Sequence, residues 1–356
     1  MRSRMWRHVV IFGLVFVTLA GCERNEDSPK AGQRAQLKLA SFGGSFQEAL
    51  DRDVVQPIAR RLGVRAKVDT YGGEYDHLAA TIRNRTNTYD VVHVETRFLI
   101  QGGQEGLLTP IDWKVVNRSA FVDGATDKYG VGLLSWSLVL SWNSQRLPRG
   151  TPPPSSWADF FDTAKYPGPR ALRNTPEGNL EIALLADGVP KDELYKNGLD
   201  VARALKKLSS IQNSITWWGT GAELEQKLTS SAVLAAAWNG RVAHLKQAAN
   251  VQVGETYNGG INQFDWWVVP TNAPHKDLAM KFLAATAKGV GQIEIARGFG
   301  YGPVAKAALD AMPQDLRAET PSAPENARLG VAFDGEWWAS HTKEVTDQWN
   351  QWRIQQ

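Results

Sequence analysis

The chain has 356 residues, 43% of them hydrophobic and 22% charged, with 32 Gly and 17 Pro. That composition belongs to a folded protein of about two domains and excludes a disordered or collagen-like chain. Basic residues number 40 against 37 acidic, but Arg2, Arg4 and Arg7 stand in a leader that carries no acid, and without it the two signs balance.

A balanced chain has no general electrostatic reason to hold nucleic acid or coat an anionic membrane. The one cysteine, Cys22, excludes a disulfide within the chain. Met1–Arg7 is short and basic, and Val9–Ala20 is an apolar run too short for a hydrocarbon core, which needs about 20 residues. Together they predict an export signal, to be set aside from the fold. The run ends Leu19-Ala20-Gly21-Cys22, which resembles the lipobox of bacterial lipoproteins. That resemblance implies a signal peptide over residues 1–21 and lipidation of Cys22. Glu23–Ala35 has no aliphatic side chain larger than alanine, so residues 22–35 read as a flexible tether.

From Leu37 short β and longer amphipathic α patterns alternate. Leu37–Ala40 alternates as a strand. Phe46, Leu50, Val54, Ile58 and Leu62 recur every four residues, a helical face that Gly63 closes. Arg65–Thr70 is strand-like, Tyr75, Leu78, Ala79 and Ile82 form a second helical face, and Asp90–Val94 reads as a buried strand. A β-α-β-α-β series predicts a mostly parallel sheet with right-handed crossovers. Ligands of such sheets lie beyond the carboxyl ends of the strands, here Ser41–Ser45, Tyr71–Glu74 and Glu95–Arg97. Gly150–Ser156, with three successive prolines, punctuates the chain. After it Ser156 caps a helix start, Leu180–Leu185 and Val201–Leu208 give helical faces, Val233–Trp238 and Phe264–Val269 read as strands, and Asp277–Ala287 as a helix. There is no internal repeat or coiled coil, and nothing after residue 20 is long and apolar enough to span a membrane.

Several segments, in order, are similar to one family: Leu39–Leu50 (LASFGGSFQEAL), Tyr89–Thr96 (YDVVHVET), Ser156–Phe161 (SWADFF), Ala171–Val189 (ALRNTPEGNLEIALLADGV), Ala237–Arg241 (AWNGR), Gly259–Pro270 (GGINQFDWWVVP) and Gly298–Pro303 (GFGYGP). The chain resembles a periplasmic solute-binding protein of an ABC importer, in the polyamine (spermidine/putrescine)-binding-like group. The resemblance implies an α/β, two-lobed type II periplasmic binding protein fold with the ligand cleft between lobes. Lobe 1 would take residues 36–142 and 265–311, and lobe 2 residues 143–264 and 312–356. It further implies a periplasmic, lipid-anchored monomer that captures a small cationic or zwitterionic amine and hands it to an ABC permease and its ATPase. It implies no cofactor.

Asp265 lies between Phe264 and Trp266-Trp267, and a carboxylate among aromatics is costly to bury unless it is paired. A ligand ammonium would supply the partner, with rings adding cation–π attraction of about 0.5–2 kcal/mol; an N-cap or internal ion pair is the other reading. The position matches the family's ammonium-binding aspartate. Trp238 matches a cleft-wall indole, and Tyr301, among Gly298, Gly300 and Gly302, a ligand contact. Glu95 ends a predicted strand where a ligand would lie. Gly44 and Ser45 open a helix whose free N–H groups suit an anion. Trp218 and Trp338 represent the pairs Trp217-Trp218 and Trp337-Trp338, one of each facing the cleft or the core.

The chain also departs from the polyamine pattern. Gly43 and Gly44 replace an aromatic and a hydroxyl, Gln263 replaces a tryptophan, and the acids of the second lobe fall on uncharged Thr175 and Gly178. A diamine or smaller amine therefore fits better than spermidine. If Gly44-Ser45 or Arg97 holds an anion, a zwitterion such as 4-aminobutyrate fits. A lipoprotein that presents its closed state to a receptor is a further alternative. No G-x-S-x-G elbow, H-E-x-x-H, P-loop or catalytic thiol points to an enzyme, and His93 with Glu95 on one strand side makes a poor metal site.

Overall fold

The computed structural model describes residues 35–72, 75–247 and 251–355. The leader, Cys22 and nearly all of the tether lie outside the described residues. Nine strands are found among the described ones: β1 Gln36–Ser41, β2 Arg65–Thr70, β3 Val91–Glu95, β4 Gly130–Asn143, β5 Arg170–Arg173, β6 Ile215–Trp218, β7 Leu234–Trp238, β8 Val253–Val268 and β9 Val331–Ala332. They form one sheet in the order β2-β1-β3-β8-β4-β7-β5-β6, with β9 beside β8.

The parallel sheet predicted from the first elements holds only on the flanks. β2-β1-β3 and β7-β5-β6 are parallel. The centre, β3-β8-β4-β7, is antiparallel. The correction has a plain cause. β8 pairs with the first flank through its carboxyl end, β4 pairs with the second through its own, and the two pair with each other along their length. Asp265–Val268 of β8 lie against β3, while Leu138–Trp142 of β4 lie against β7. Within these same stretches the β4·β8 ladder slips, at Gly132/Leu134 and again at Leu138/Leu140. Such bulges bend a ribbon and re-aim its side chains.

The expected helices are present. The face of Phe46–Leu62 becomes helices Gly44–Leu50 and Gln56–Leu62 joined by a π turn at Asp51–Val55, and Gly63 closes it with φ 70° in the left-handed region that glycine tolerates. Tyr75, Leu78, Ala79 and Ile82 are the buried residues of helix Tyr75–Arg83. The Ser156 side chain accepts from Asp159 N at the start of helix Trp157–Phe161, the cap its position predicts. Helices cover both flanks of the sheet. Beneath them Val92, Val94, Leu78 and Trp266 pack together on one flank, and Ala171, Ala235, Leu224 and Val242 on the other. β4 and the 20-residue helix Gly335–Ile354 had no counterpart among the predicted elements.

Candidate ligand-binding site

Every parallel strand of either flank directs its carboxyl end toward one cavity of about 390 Å³. From the first flank come Phe42 and Gly43 after β1, Gly72 after β2, and Glu95 and Arg97 at the end of β3. From the second come Arg173, Thr175 and Glu177 after β5, Gly219–Gly221 after β6, and Trp238 and Arg241 after β7. The central ribbon adds Trp136 and Asp265, and the loop after helix Gln292–Phe299 adds Tyr301. Carboxyl ends carry loops and the starts of following helices, so they form a polar rim around an apolar sheet.

Asp265 is the most constrained of these groups. It stands opposite Glu95 across β3·β8, and like charges directly opposed on a sheet destabilise it. Its Oδ2 accepts from His93 Nε2 at 2.8 Å, and its Oδ1 from Trp136 Nε1 at 2.8 Å. A carboxylate only accepts, so His93 Nε2 donates to it, and Nδ1 of the same ring is hydrogen-bonded to Ser41 Oγ at 2.9 Å. The imidazole is fully buried, and Phe42 lies over it with ring centroids 3.9 Å apart. Two buried donors thus fix the aim of a carboxylate whose side chain is 12% exposed. The partner is a histidine rather than an arginine.

The second flank is basic. The Arg173 guanidinium sits 4.9 Å from the Trp238 ring centre and 3.6 Å from Glu95. Arg241 reaches Glu225 at 3.3 Å, yet its Nε is buried and has no acceptor among the described residues. Its guanidinium lies where a Cβ at Gly221 would be, so only glycine permits this packing at the start of helix Gly221–Ser230. Arg97 pairs with Glu177 at 3.0 Å. Burial pushes the Glu177 carboxyl up, Arg97 draws it back, and Glu95 again raises it.

Rings complete the walls. Trp238 meets Trp136 and Trp218 edge-on at 6.3 and 4.9 Å, and Phe46 meets Tyr301 at 5.5 Å. Tyr301 is held because Asn239 Nδ2 donates to Gly300 O at 2.7 Å while Gly302 exchanges backbone bonds with Ser135. Burial raises its phenol above the ordinary tyrosine value.

Of the residues singled out from sequence, Asp265, Trp238, Tyr301 and Glu95 line this cavity together. Four do not. Gly44 and Ser45 start the first helix, but the chain turns one residue earlier, so Gly43, at φ 82°, faces the cavity in their place. Trp218 is 1% exposed and stands behind Trp238. Trp338 is fully buried, stacked on Phe333 and donating to Glu181, and the half-buried Trp337 beside it stacks on His341. Residues missed were Glu177, between the two positions where acids were sought, and Arg173 and Arg241. The available signal was a charged residue just past the carboxyl end of a short apolar strand. Among the described residues no group of three or more His, Cys, Asp or Glu is placed to hold a metal ion.

A mixed sheet crossed by two strands, with opposed rims around one polar cavity, defines a ligand-capturing α/β protein. Residues 53–326 match the bacterial extracellular solute-binding protein family, and the chain belongs to it. It is 32% identical over 355 residues to the gamma-aminobutyric acid-binding protein of Pseudomonas aeruginosa, covering 98% of this chain and 97% of that one. An ABC transporter substrate-binding protein from Bradyrhizobium japonicum USDA 110 superposes with a TM-score of 0.83 at 33% identity, over 89% of this chain and 99% of its own. The Atu4243-GABA receptor does so with a TM-score of 0.81 at 33% identity, over 89% and 97%.

The spermidine/putrescine-binding PotD of Streptococcus pneumoniae is 16% identical at a TM-score of 0.68, a likeness of fold alone. Of the resemblance read from the sequence, the comparisons support the wider solute-binding family. The fold is that of the two-lobed periplasmic binding proteins, and the chain is an ABC-type substrate-binding protein. Proteins of this class deliver small ligands to a permease. The extracellular family implies a periplasmic location, and among the described residues no helix is long and apolar enough to cross a membrane.

Proposed function

We propose that this protein captures a zwitterionic amino acid of the 4-aminobutyrate type. One observation carries the reading: the two rims of the cavity have opposite charge. The β3·β8 rim holds Glu95 and Asp265 against one Arg97, and the β5·β7 rim holds Arg173 and Arg241 against one Glu177. Three acids face three guanidiniums, which gives no surplus of negative charge for a polycation. A zwitterion lying across the cavity meets complementary charge at both ends. Its ammonium enters the unfavourable Glu95–Asp265 pair and relieves it. Its carboxylate lies between the Arg173 and Arg241 guanidiniums that line the other rim. The similarity to a gamma-aminobutyric acid-binding protein supports this alternative over the polyamine reading.

Capture works by closure. Lobes 36–142 with 265–311, and 143–264 with 312–356, hinge on the β4·β8 ribbon. Ligand contacts from both rims then favour the closed state by their difference in affinity. The closed monomer docks on the permease and its ATPase, tethered to a bacterial membrane through Cys22. The role is binding rather than catalysis. Ser41, His93 and Asp265 form a hydrogen-bonded chain, but Ser41 is fully buried and its hydroxyl is spent on the imidazole, so no substrate carbonyl reaches it.

The test is tryptophan fluorescence, because Trp136 and Trp238 line the cavity. Titration with 4-aminobutyrate should saturate, while putrescine and spermidine should bind at least tenfold more weakly. Tighter binding of either polyamine would overturn the zwitterion assignment and leave the fold untouched.

A further inference from the structure

The Arg97–Glu177 pair differs from the rest of the lining, because each member stands on the rim of the opposite sign. Arg97 sits beside Glu95 on the acidic rim, and Glu177 follows Arg173 on the basic one. Glu177 is thus a carboxylate facing the cavity from the side opposite Asp265. Two carboxylates on opposed walls are what a ligand with an ammonium at each end requires. The Glu177 side chain is 15% exposed, and Arg97 Nε lies 3.0 Å from its Oε1. Burial already works against its charge, and Arg97 is the first group that offsets this.

Space continues beyond the pair. A groove of about 500 Å³ is bordered by Arg97, Thr175 and Glu177 on one side and by Thr342, Thr346 and Asn350 of the last helix on the other. Neither bulk nor lack of a counter-charge keeps a second ammonium away. What stands in its place is the Arg97 guanidinium.

We propose that Arg97 determines specificity by occupying a latent second ammonium site formed by Glu177, so that the cavity rejects diamines. The inference rests on the zwitterion reading above. It deepens that reading by naming the residue that separates amino acids from diamines. Removing the guanidinium leaves a nearly buried carboxylate without its partner. A diamine anchored at Asp265 then restores the lost charge with its far nitrogen.

The experiment is putrescine titration followed by tryptophan fluorescence. Arg97→Met should bind putrescine at least tenfold tighter than wild type. Arg97→Gln, which keeps a hydrogen bond to Glu177 and guards against a folding failure of the first variant, should move in the same direction. Adding Glu177→Gln to either should return putrescine binding to the wild-type level. The proposal is overturned if neither single variant binds putrescine more tightly, or if the gain survives the loss of the Glu177 charge. Titration of wild type with 4-aminobutyrate is a separate reading, so failure of the zwitterion assignment and failure of this inference are told apart.

Discussion

The two rims of the cavity are built in different ways. On the β3·β8 side Asp265 is held by donors inside the fold, His93 at 2.8 Å and Trp136 at 2.8 Å, and the chain of contacts runs on to the buried Ser41. On the β5·β7 side the guanidiniums of Arg173 and Arg241 rest on an indole face and on looser ion pairs at 3.6 and 3.3 Å. The difference follows from chain position. Asp265 lies inside the central ribbon, where neighbouring strands surround it, whereas the arginines occur at or just past strand ends, where only loops and helix starts are close. A rim fixed in advance loses little entropy on meeting its ligand, and a rim of long side chains adjusts to one. The acidic side therefore sets the position of the ammonium, and the basic side accommodates the length of the molecule.

The strongest attempt to break this contrast is Asp265→Ala. It removes the fixed carboxylate and leaves the His93 and Trp136 donors unpaired. Affinity for 4-aminobutyrate should fall by roughly 2–4 kcal/mol, the usual cost of losing one member of a desolvated charged pair. At about 1.4 kcal/mol per decade that is about 30- to 1000-fold in Kd by calorimetry. Binding of butyrate, which has no ammonium, should change far less. An equal loss for both ligands would mean that Asp265 shapes the cavity without meeting the amine.

A second test concerns what supports the basic rim. Glu181, on helix Asn179–Ala186 just after Glu177, is fully buried. Its Oε1 accepts from Tyr195 Oη at 2.6 Å and from Trp338 Nε1 at 2.8 Å, while Oε2 has no partner among the described residues. Burial pushes its carboxyl up to about 7. The folded value lies above the unfolded one, so the folded state holds this proton more tightly. The resulting stability is fully present below about pH 4.5, and is lost as pH rises through about 7. The loss is about 3 kcal/mol. Denaturant unfolding of wild type and Glu181→Gln at pH 5 and pH 8 checks it: the wild type should lose ground to the variant at the higher pH. A stability difference that does not change with pH would show that the carboxyl titrates normally.

Arg241→Ala sharpens the contrast from the other side. Hydrogen bonds to charged groups contribute about 1.5–3 kcal/mol, so 4-aminobutyrate should bind more weakly by that amount, while butylamine, which has no carboxylate, should be little affected. Asp265→Ala and Arg241→Ala thus predict opposite preferences between the two truncated ligands. If both variants favour the same one, the charge polarity of the cavity is misassigned.

Much of the acidic rim was legible in the chain, and most of the basic rim was not. Period-two and period-four patterns marked β1, β2, β3 and their helices, and the carboxyl-end rule then pointed to Glu95 and Arg97. Asp265 stood out as a charge among aromatics. β4 was hidden because GVGLLSWSLVLSWN is buried on nearly every residue, which leaves no alternation to read. Without β4, the antiparallel centre and the partner Trp136 could not be foreseen. Glu177 was passed over because acids were sought at Thr175 and Gly178, and the loop presents the residue between them. Trp218 and Trp338 show the converse: an indole in a pair looks the same in sequence whether it walls a cavity or fills a core.

The smallest effect tests what joins the two rims. Trp238 touches Trp136 of the ribbon edge-on and carries the Arg173 guanidinium on its face. Cation–π attraction at such a site amounts to about 0.5–2 kcal/mol. Trp238→Leu should weaken 4-aminobutyrate binding by that amount, because Arg173 loses its platform. Trp238→Phe keeps a π face and should lose less. If the two substitutions cost the same, the indole contributes area alone, and Arg173 is positioned by Glu95 rather than by the ring. In that case Glu95→Gln, which lifts the charge from the 3.6 Å pair, should release the arginine and weaken binding of the carboxylate end.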